Sequence, residues 1–304
     1  MKKFLTRILL FLLPVIIALV GCELYVRSLP NIHAYKNQWL NANSKHVNTL
    51  ILGNSRAFNC IMPSLLGNNS FNLANPQQQL EYDWFLLNKY DFDSLKTVII
   101  TLDEVSLLLP SLEDQQSNYC CFYKIYMGYD KHSWFSKYNF EMLNYPSWML
   151  KIRNYWNLVA NGDSPLACDS LGWCGVDSTI PTQKSMRHDA GIVTKHYGDT
   201  ASYNRNMAYA RSIAKLCQQR GINLVMVTLP YYYEYVDMLG EQSDNVTRQA
   251  AEQLANDYGA IYLNYRNDKR FEFEDFADGG HLSSKGARKF TLILNDDLNK
   301  ILKQ

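Results

Sequence analysis

The sequence predicts an α/β domain of flavodoxin-like type: a three-layer α/β/α arrangement around a doubly wound parallel sheet, carried behind an N-terminal apolar segment. Three observations predict it. Continuous apolar runs of strand length occur at 47–52, 97–102, 223–228 and 260–263, and such runs belong to strands buried on both faces. Segments of helical spacing separate them, the alternation that builds a parallel sheet covered on both sides. The chain has 304 residues, 47% hydrophobic and 19% charged, which suffices for one domain plus a short appendage.

In chain order, 1–26 is expected to be a membrane anchor or export signal. Lys2, Lys3 and Arg7 precede an unbroken apolar run at 8–22, the pattern of a basic n-region and an export h-region. Two endings stay open. Leu19-Val20-Gly21-Cys22 is similar to a bacterial lipoprotein signal cut before Cys22, while continuation past Glu23 through Leu24, Tyr25 and Val26 gives an uncleaved anchor of about 20 residues. Either one places the rest of the chain on the periplasmic or extracellular side, with the basic residues inside. The polar stretch 27–46, with Pro30 and several Asn, is expected to be a stalk, and the domain to run from 47 to 304.

The first strand is expected at 47–52, stopped by Gly53-Asn54, and a second, short one at 71–73. Tyr82, Phe85, Leu86 and Lys89 have helical spacing, and 97–102 is the next buried strand. From 106 to 200 no strand–helix alternation is visible, and 13 aromatic residues fall between Tyr119 and Trp156. This stretch is expected to be an insertion on the sheet, suited to capping an active site or stacking on sugar rings. Alternation returns with a helix at 204–219, its face formed by Met207, Ala210, Ile213, Ala214 and Cys217 and its stop by Gly221. Further along come the strand 223–228, a helix at 243–258, the strand 260–263 and a final helix at 285–302 capped by Ser283 or Ser284.

Other classes are disfavoured. A net charge of +1 without a basic stripe gives a nucleic-acid backbone nothing to hold. The six His show no paired ligand spacing, so no metal is expected, and no cofactor motif is present. The seven Cys fit an exported protein loosely: a Cys168–Cys174 bridge and buried thiols are both open.

In a doubly wound sheet, reactive groups collect outside the carboxyl ends of the strands. Ser55 falls there, in the first strand-to-helix turn, where backbone N–H groups can face a developing oxyanion. Ser at such a turn also serves as a plain helix cap. The other end of the chain tips the balance toward chemistry: Asp278-Gly279-Gly280-His281-Leu282 precedes the last helix. A serine nucleophile needs a base, His supplies one, and a carboxylate three residues earlier fixes its tautomer.

The strand–Gly-Asn-Ser turn and the Asp-x-x-His-Leu block followed by Ser-Lys-Gly-Ala resemble the first and last blocks of the SGNH/GDSL hydrolase superfamily, over roughly 47–302. That resemblance implies Ser55 as nucleophile, His281 as base and Asp278 as its partner. With the anchored topology, it also resembles envelope proteins that add or remove acyl groups on polysaccharides. The chain departs from the pattern at three points. Asn54 stands where the family name implies Asp. The second block offers the Ala74 N–H or the Asn75 side chain as oxyanion donor. Leu102-Asp103-Glu104-Val105 replaces the usual Gly-x-Asn-Asp, so the third-block donor has no counterpart. The function expected is a tethered serine esterase or O-acyltransferase on acylated carbohydrate, water or a sugar hydroxyl being the acceptor. The alternative is a catalytically impaired member that binds polysaccharide or an assembly partner.

Overall fold

Each of the four strand-length apolar runs gives a strand, while the longer run at 8–22 lies in a helix. The computed structural model describes residues 2–67, 69–131, 133–144, 146–177 and 181–302. Its elements in chain order are α1 (Lys2–Ser28), α2 (Ile32–Asn43), β1 (Thr49–Leu52), α3 (Ser55–Cys60), β2 (Ser70–Asn72), α4 (Leu80–Lys89), β3 (Thr97–Thr101), α5 (Glu104–Leu108), α6 (Tyr119–Met127), α7 (Ser147–Asn161), α8 (Gln183–Thr194), α9 (Thr200–Arg220), β4 (Asn223–Thr228), α10 (Tyr233–Leu239), α11 (Glu241–Tyr258), β5 (Ile261–Asn264) and α12 (Ser284–Leu302). They group into two units, Met1–Gln38 with Gln116–Ala167, and Trp39–Gln115 with Cys168–Gln304.

The second unit holds the sheet. Its order is β2-β1-β3-β4-β5, all parallel, the flavodoxin-like order that the sequence predicts. Register places Ile51, Ile99, Val225 and Ile261 in one row across four strands. The central strand β3 is buried at all five positions, and burial of Val98, Ile99 and Ile100 contributes about 1.5–3 kcal/mol each. Edge strand β5 is only partly covered. α3 packs on α12, and α4, α9 and α11 pack in a row, so the sheet carries helices on both faces. α12 turns Ala287, Phe290, Leu294 and Leu298 inward, and of its two candidate caps Ser283 is the one used, its Oγ accepting from Gly286 N at 3.2 Å.

The first unit consists of α1, the start of α2, α6 and α7. Among the described residues, one helix is long and apolar enough to cross a membrane: Leu10–Ser28 of α1, with a mean hydropathy of 2.0. α1 continues through Cys22 without a break, and Cys22 is exposed.

Two boundaries differ from expectation. The segment 27–46, expected as a polar stalk, is mostly helical: α2 occupies most of it and buries His33, Lys36 and Leu40. Those positions lie three and four apart, one stripe of a helix, which polar composition hides. His33 packs within 5.0 Å of the Tyr123 ring and 5.3 Å of the Phe122 ring; burial, with the charges of Lys36 and Lys151, pushes its pKa down to about 3. The stretch 106–200, expected as an insertion, is shared between the two units. It contains no strand among its described residues, but 116–167 belongs to the first unit and the remainder to the second.

The turn after β1 depends on Gly53. Its φ is +121°, and a Cβ there would stand 2.2 Å from Thr101 Oγ1 on neighbouring β3. Gly53→Ala is therefore expected to cost about 2–4 kcal/mol through left-handed strain and overpacking. Urea denaturation followed by circular dichroism would test this, and an unchanged midpoint would refute it.

Candidate active site

The carboxyl ends of β1 and β3 and the loop before α12 converge on one group of side chains. β1 ends at Leu52, Gly53 turns the chain, and Asn54 caps α3, its Oδ1 accepting from Arg56 N at 2.9 Å. Ser55 is thus the first residue of α3. The loop 276–282 comes back on itself through an antiparallel bridge between Phe276 and Leu282. Within it the Asp278 carboxylate accepts from the amides of Gly280 and His281, both at 2.8 Å. Gly279 is required by close approach, since a Cβ there would meet Tyr235 and Met186 within 2.9 Å, and Gly280 sits close as well, where a Cβ would lie 3.3 Å from the Arg56 guanidinium.

This brings three of the sequence-selected residues together. Ser55 Oγ lies 2.8 Å from His281 Nε2, and His281 Nδ1 lies 2.9 Å and 3.0 Å from the two Asp278 oxygens. A carboxylate only accepts hydrogen bonds, so Nδ1 carries a proton, and in the neutral ring the Nε2 lone pair faces Ser55. Burial works to raise the Asp278 carboxyl, but hydrogen bonding to and the charge of His281, with the two amides, outweigh it and hold its pKa below the ordinary value. The His281 and Asp278 side chains are 29% and 38% exposed, so a substrate can reach the ring from solvent.

The other selected residues sit differently. Asn54 is buried, and its Nδ2 points to the Asp103 carboxylate at 3.2 Å and 3.4 Å. Ala74 N donates to Asn72 Oδ1 at 3.0 Å. Asn75 is fully buried; its Nδ2 donates to Leu73 O and Gln78 Oε1, and its N donates to Gly53 O at 3.2 Å. The amide donors that the second block was expected to supply are thus engaged within the protein.

Asp103 and Glu104, which interrupt the third block, belong to a buried ion cluster. Arg56 Nη1 donates to Asp103 at 2.9 Å, to Glu104 at 3.0 Å and to the Tyr231 hydroxyl. Glu104 also accepts from Arg266 at 3.0 Å, from the Tyr231 hydroxyl at 3.1 Å and from Ser243 at 3.1 Å. The two guanidinium carbons lie 4.3 Å and 4.8 Å from the centre of the Tyr231 ring. Burial opposes ionisation of Glu104, yet the two arginines hold its pKa below the ordinary value. This cluster was not legible in the sequence. Its one signal was that charged residues follow β1, β3 and β5 at the same sheet edge. Asp189 on α8 was missed too; burial and the Asp278 charge raise its pKa, which places it in the field of the site.

Comparison of the sequence with family models and with curated proteins gives no match. Among solved structures, the chain is similar to one described as a carbohydrate acetylesterase family member from Sinorhizobium meliloti. The likeness covers 85% of this chain and 100% of that one, at 11% identity and a TM-score of 0.35.

Two predictions follow from the geometry. Arg56→Met strips Asp103 and Glu104 of a buried partner and should cost about 3–5 kcal/mol, against about 1–3 kcal/mol for Ser243→Ala; denaturant midpoints that fall equally little would contradict the cluster's role. Asp83 is buried where it accepts from Gly53 N at 3.0 Å and Gln78 Nε2 at 2.6 Å, and burial pushes its pKa up to about 7. Because the folded pKa is raised, the associated stability is fully present below the unfolded value of about 4 and is lost as pH rises through about 7, a swing on the order of 4 kcal/mol. Asp83→Asn should flatten the fall in denaturant midpoint over that window; a variant that keeps the wild-type slope would rule out Asp83 as its source.

Proposed function

We propose that this protein is a serine-dependent acyl-ester enzyme of SGNH type, with Ser55 as nucleophile, His281 as general base and acid, and Asp278 as the group that orients the imidazole. The carrying observation is the continuous hydrogen-bonded line from Ser55 Oγ through the His281 ring to Asp278. In the reaction, Ser55 Oγ bonds to the acyl carbonyl carbon as its proton passes to His281 Nε2. Collapse of the tetrahedral adduct breaks the carbon–alkoxy bond, and the departing oxygen takes that proton. The acyl-Ser55 ester is then attacked by water or a sugar hydroxyl, which gives its proton to Nε2; the bond from the acyl carbon to Oγ breaks, and Oγ takes that proton from Nε2, regenerating Ser55 and the neutral ring. The Nδ1 proton stays between ring and carboxylate throughout. The Ser55 amide at the strand-to-helix turn is the oxyanion donor of this reading.

The substrate is an acyl ester, most simply an acetyl ester, borne by carbohydrate of a bacterial envelope. The block pattern at Ser55 and Asp278–His281 supports this, and so does the apolar length of α1, which would anchor the chain with its site on the periplasmic or extracellular side. A second reading, a member that binds polysaccharide or an assembly partner without turnover, is favoured by one observation: Asn54, Ala74 and Asn75 donate inward.

Reaction with a fluorophosphonate separates the two. The full-length protein in detergent is expected to gain one adduct by intact mass, Ser55→Ala and His281→Ala to gain none, and Asp278→Asn to react about 1000-fold or more slowly. A folded wild type that gains no adduct would sink the enzyme reading in favour of the binding one.

A further inference from the structure

The apolar run at 8–22 spans only about 22 Å as a helix, while a bilayer's hydrocarbon core is about 30 Å thick. A crossing α1 must therefore take its next turns, from Glu23 onward, into the apolar layer or thin the bilayer around it. The first unit is built for the former. The Glu23 carboxylate turns inward, accepting from Arg27 Nε at 2.6 Å, Glu141 N at 2.9 Å and Met142 N at 3.0 Å. Arg27 Nη2 donates to Asn139 O at 2.7 Å, and Lys151 Nζ donates to Val26 O at 2.8 Å and to Glu141 at 3.0 Å. The polar groups at this end of the helix are thus satisfied within the protein, the condition for placing them beside hydrocarbon.

Beside this clamp lies a mostly apolar groove. It has a volume of about 590 Å³ and runs between Leu19, Val20 and Leu24 of α1 and Phe140, Met142 and Leu143, with the paired Glu23 and Arg27 also in its lining. Beside it in the chain, Trp134 and Phe135 are 86% and 94% exposed. α7 buries no residue and exposes Met149, Trp156 and Val159 on one face, and Trp156 Nε1 donates to the Tyr25 hydroxyl at 2.9 Å. One wall of the groove is the same helix that carries the crossing segment, so whatever surrounds that segment also enters the groove.

We infer that this face is a lipid-docking surface: the groove takes a phospholipid acyl chain, and Trp134 and Phe135 lie in the interfacial layer of the leaflet where α1 emerges, as amphipathic aromatics do. The inference rests on α1 being a retained anchor. The test uses the full chain reconstituted in phosphatidylcholine vesicles whose acyl chains are brominated near the headgroup, with Trp134→Phe isolating that residue's emission. The protein is expected to float with vesicles after alkaline carbonate washing, and the Trp134 emission to be quenched by bromolipid and shielded from aqueous acrylamide. Phe140→Asp with Leu143→Asp should still float but lose the bromolipid quenching. Floating protein whose Trp134 answers to acrylamide alone would overturn the inference. Shielding from both quenchers, which a second copy covering the face would give, would overturn it as well. Failure to float would remove the anchor and the inference with it. Fluorophosphonate reaction of the same samples reports on Ser55 independently.

Discussion

Burial of the Arg56 guanidinium is the constraint on which the arrangement of the sheet edge depends. A charge taken out of water is tolerated only when it is paired and fully hydrogen-bonded. Arg56 meets that condition by drawing Asp103 and Glu104 from the end of β3 and Tyr231 from the segment after β4, while Arg266, beyond β5, balances Glu104. Residues from four strand ends are locked to one another this way. Asp103 in turn holds Asn54, and Asn54 caps α3. The orientation of Ser55 is thus inherited from an ion cluster that never touches it.

This cluster also occupies the positions, Asp103 and Glu104, where the resemblance leads one to expect a third-block donor. The place where the family pattern has an amide donor is here committed to countercharge for Arg56. Ala74 and Asn75 are tied to the turns around β1 and β2 in a similar manner. The donor set around Ser55 is therefore leaner than the family pattern implies, and any acyl chemistry relies more heavily on the serine's own turn.

Much of this was legible in the sequence, for identifiable reasons. The strands were readable because a strand covered on both faces must be continuously apolar, and 97–101 and 223–228 have no other use. Asp278 and His281 were readable because three residues separate them and two glycines allow the turn. What stayed hidden is non-local. Nothing at Arg56, Glu104 or Arg266 individually announces a contact with the others, since the fold alone brings positions 56, 104 and 266 together. The buried stripe of α2 was masked by asparagines on its other faces. The division of 106–200 between two units was equally invisible, since aromatic residues report burial without naming a partner.

The loop that carries Asp278 and His281 is stitched to itself by the two amide bonds to Asp278, by Ala277 N to His281 O at 2.9 Å and by the bridge at its base. Carboxylate and imidazole therefore belong to one small rigid body, and their mutual geometry survives displacement of the whole loop. Ser55 rides on a different body, the cap of α3. The two meet through the 2.8 Å contact of Ser55 Oγ with His281 Nε2. A slide of the loop against α3 would uncouple the serine while leaving the acid–imidazole pair intact, so that reactivity would be governed like a latch rather than like an assembly of three parts.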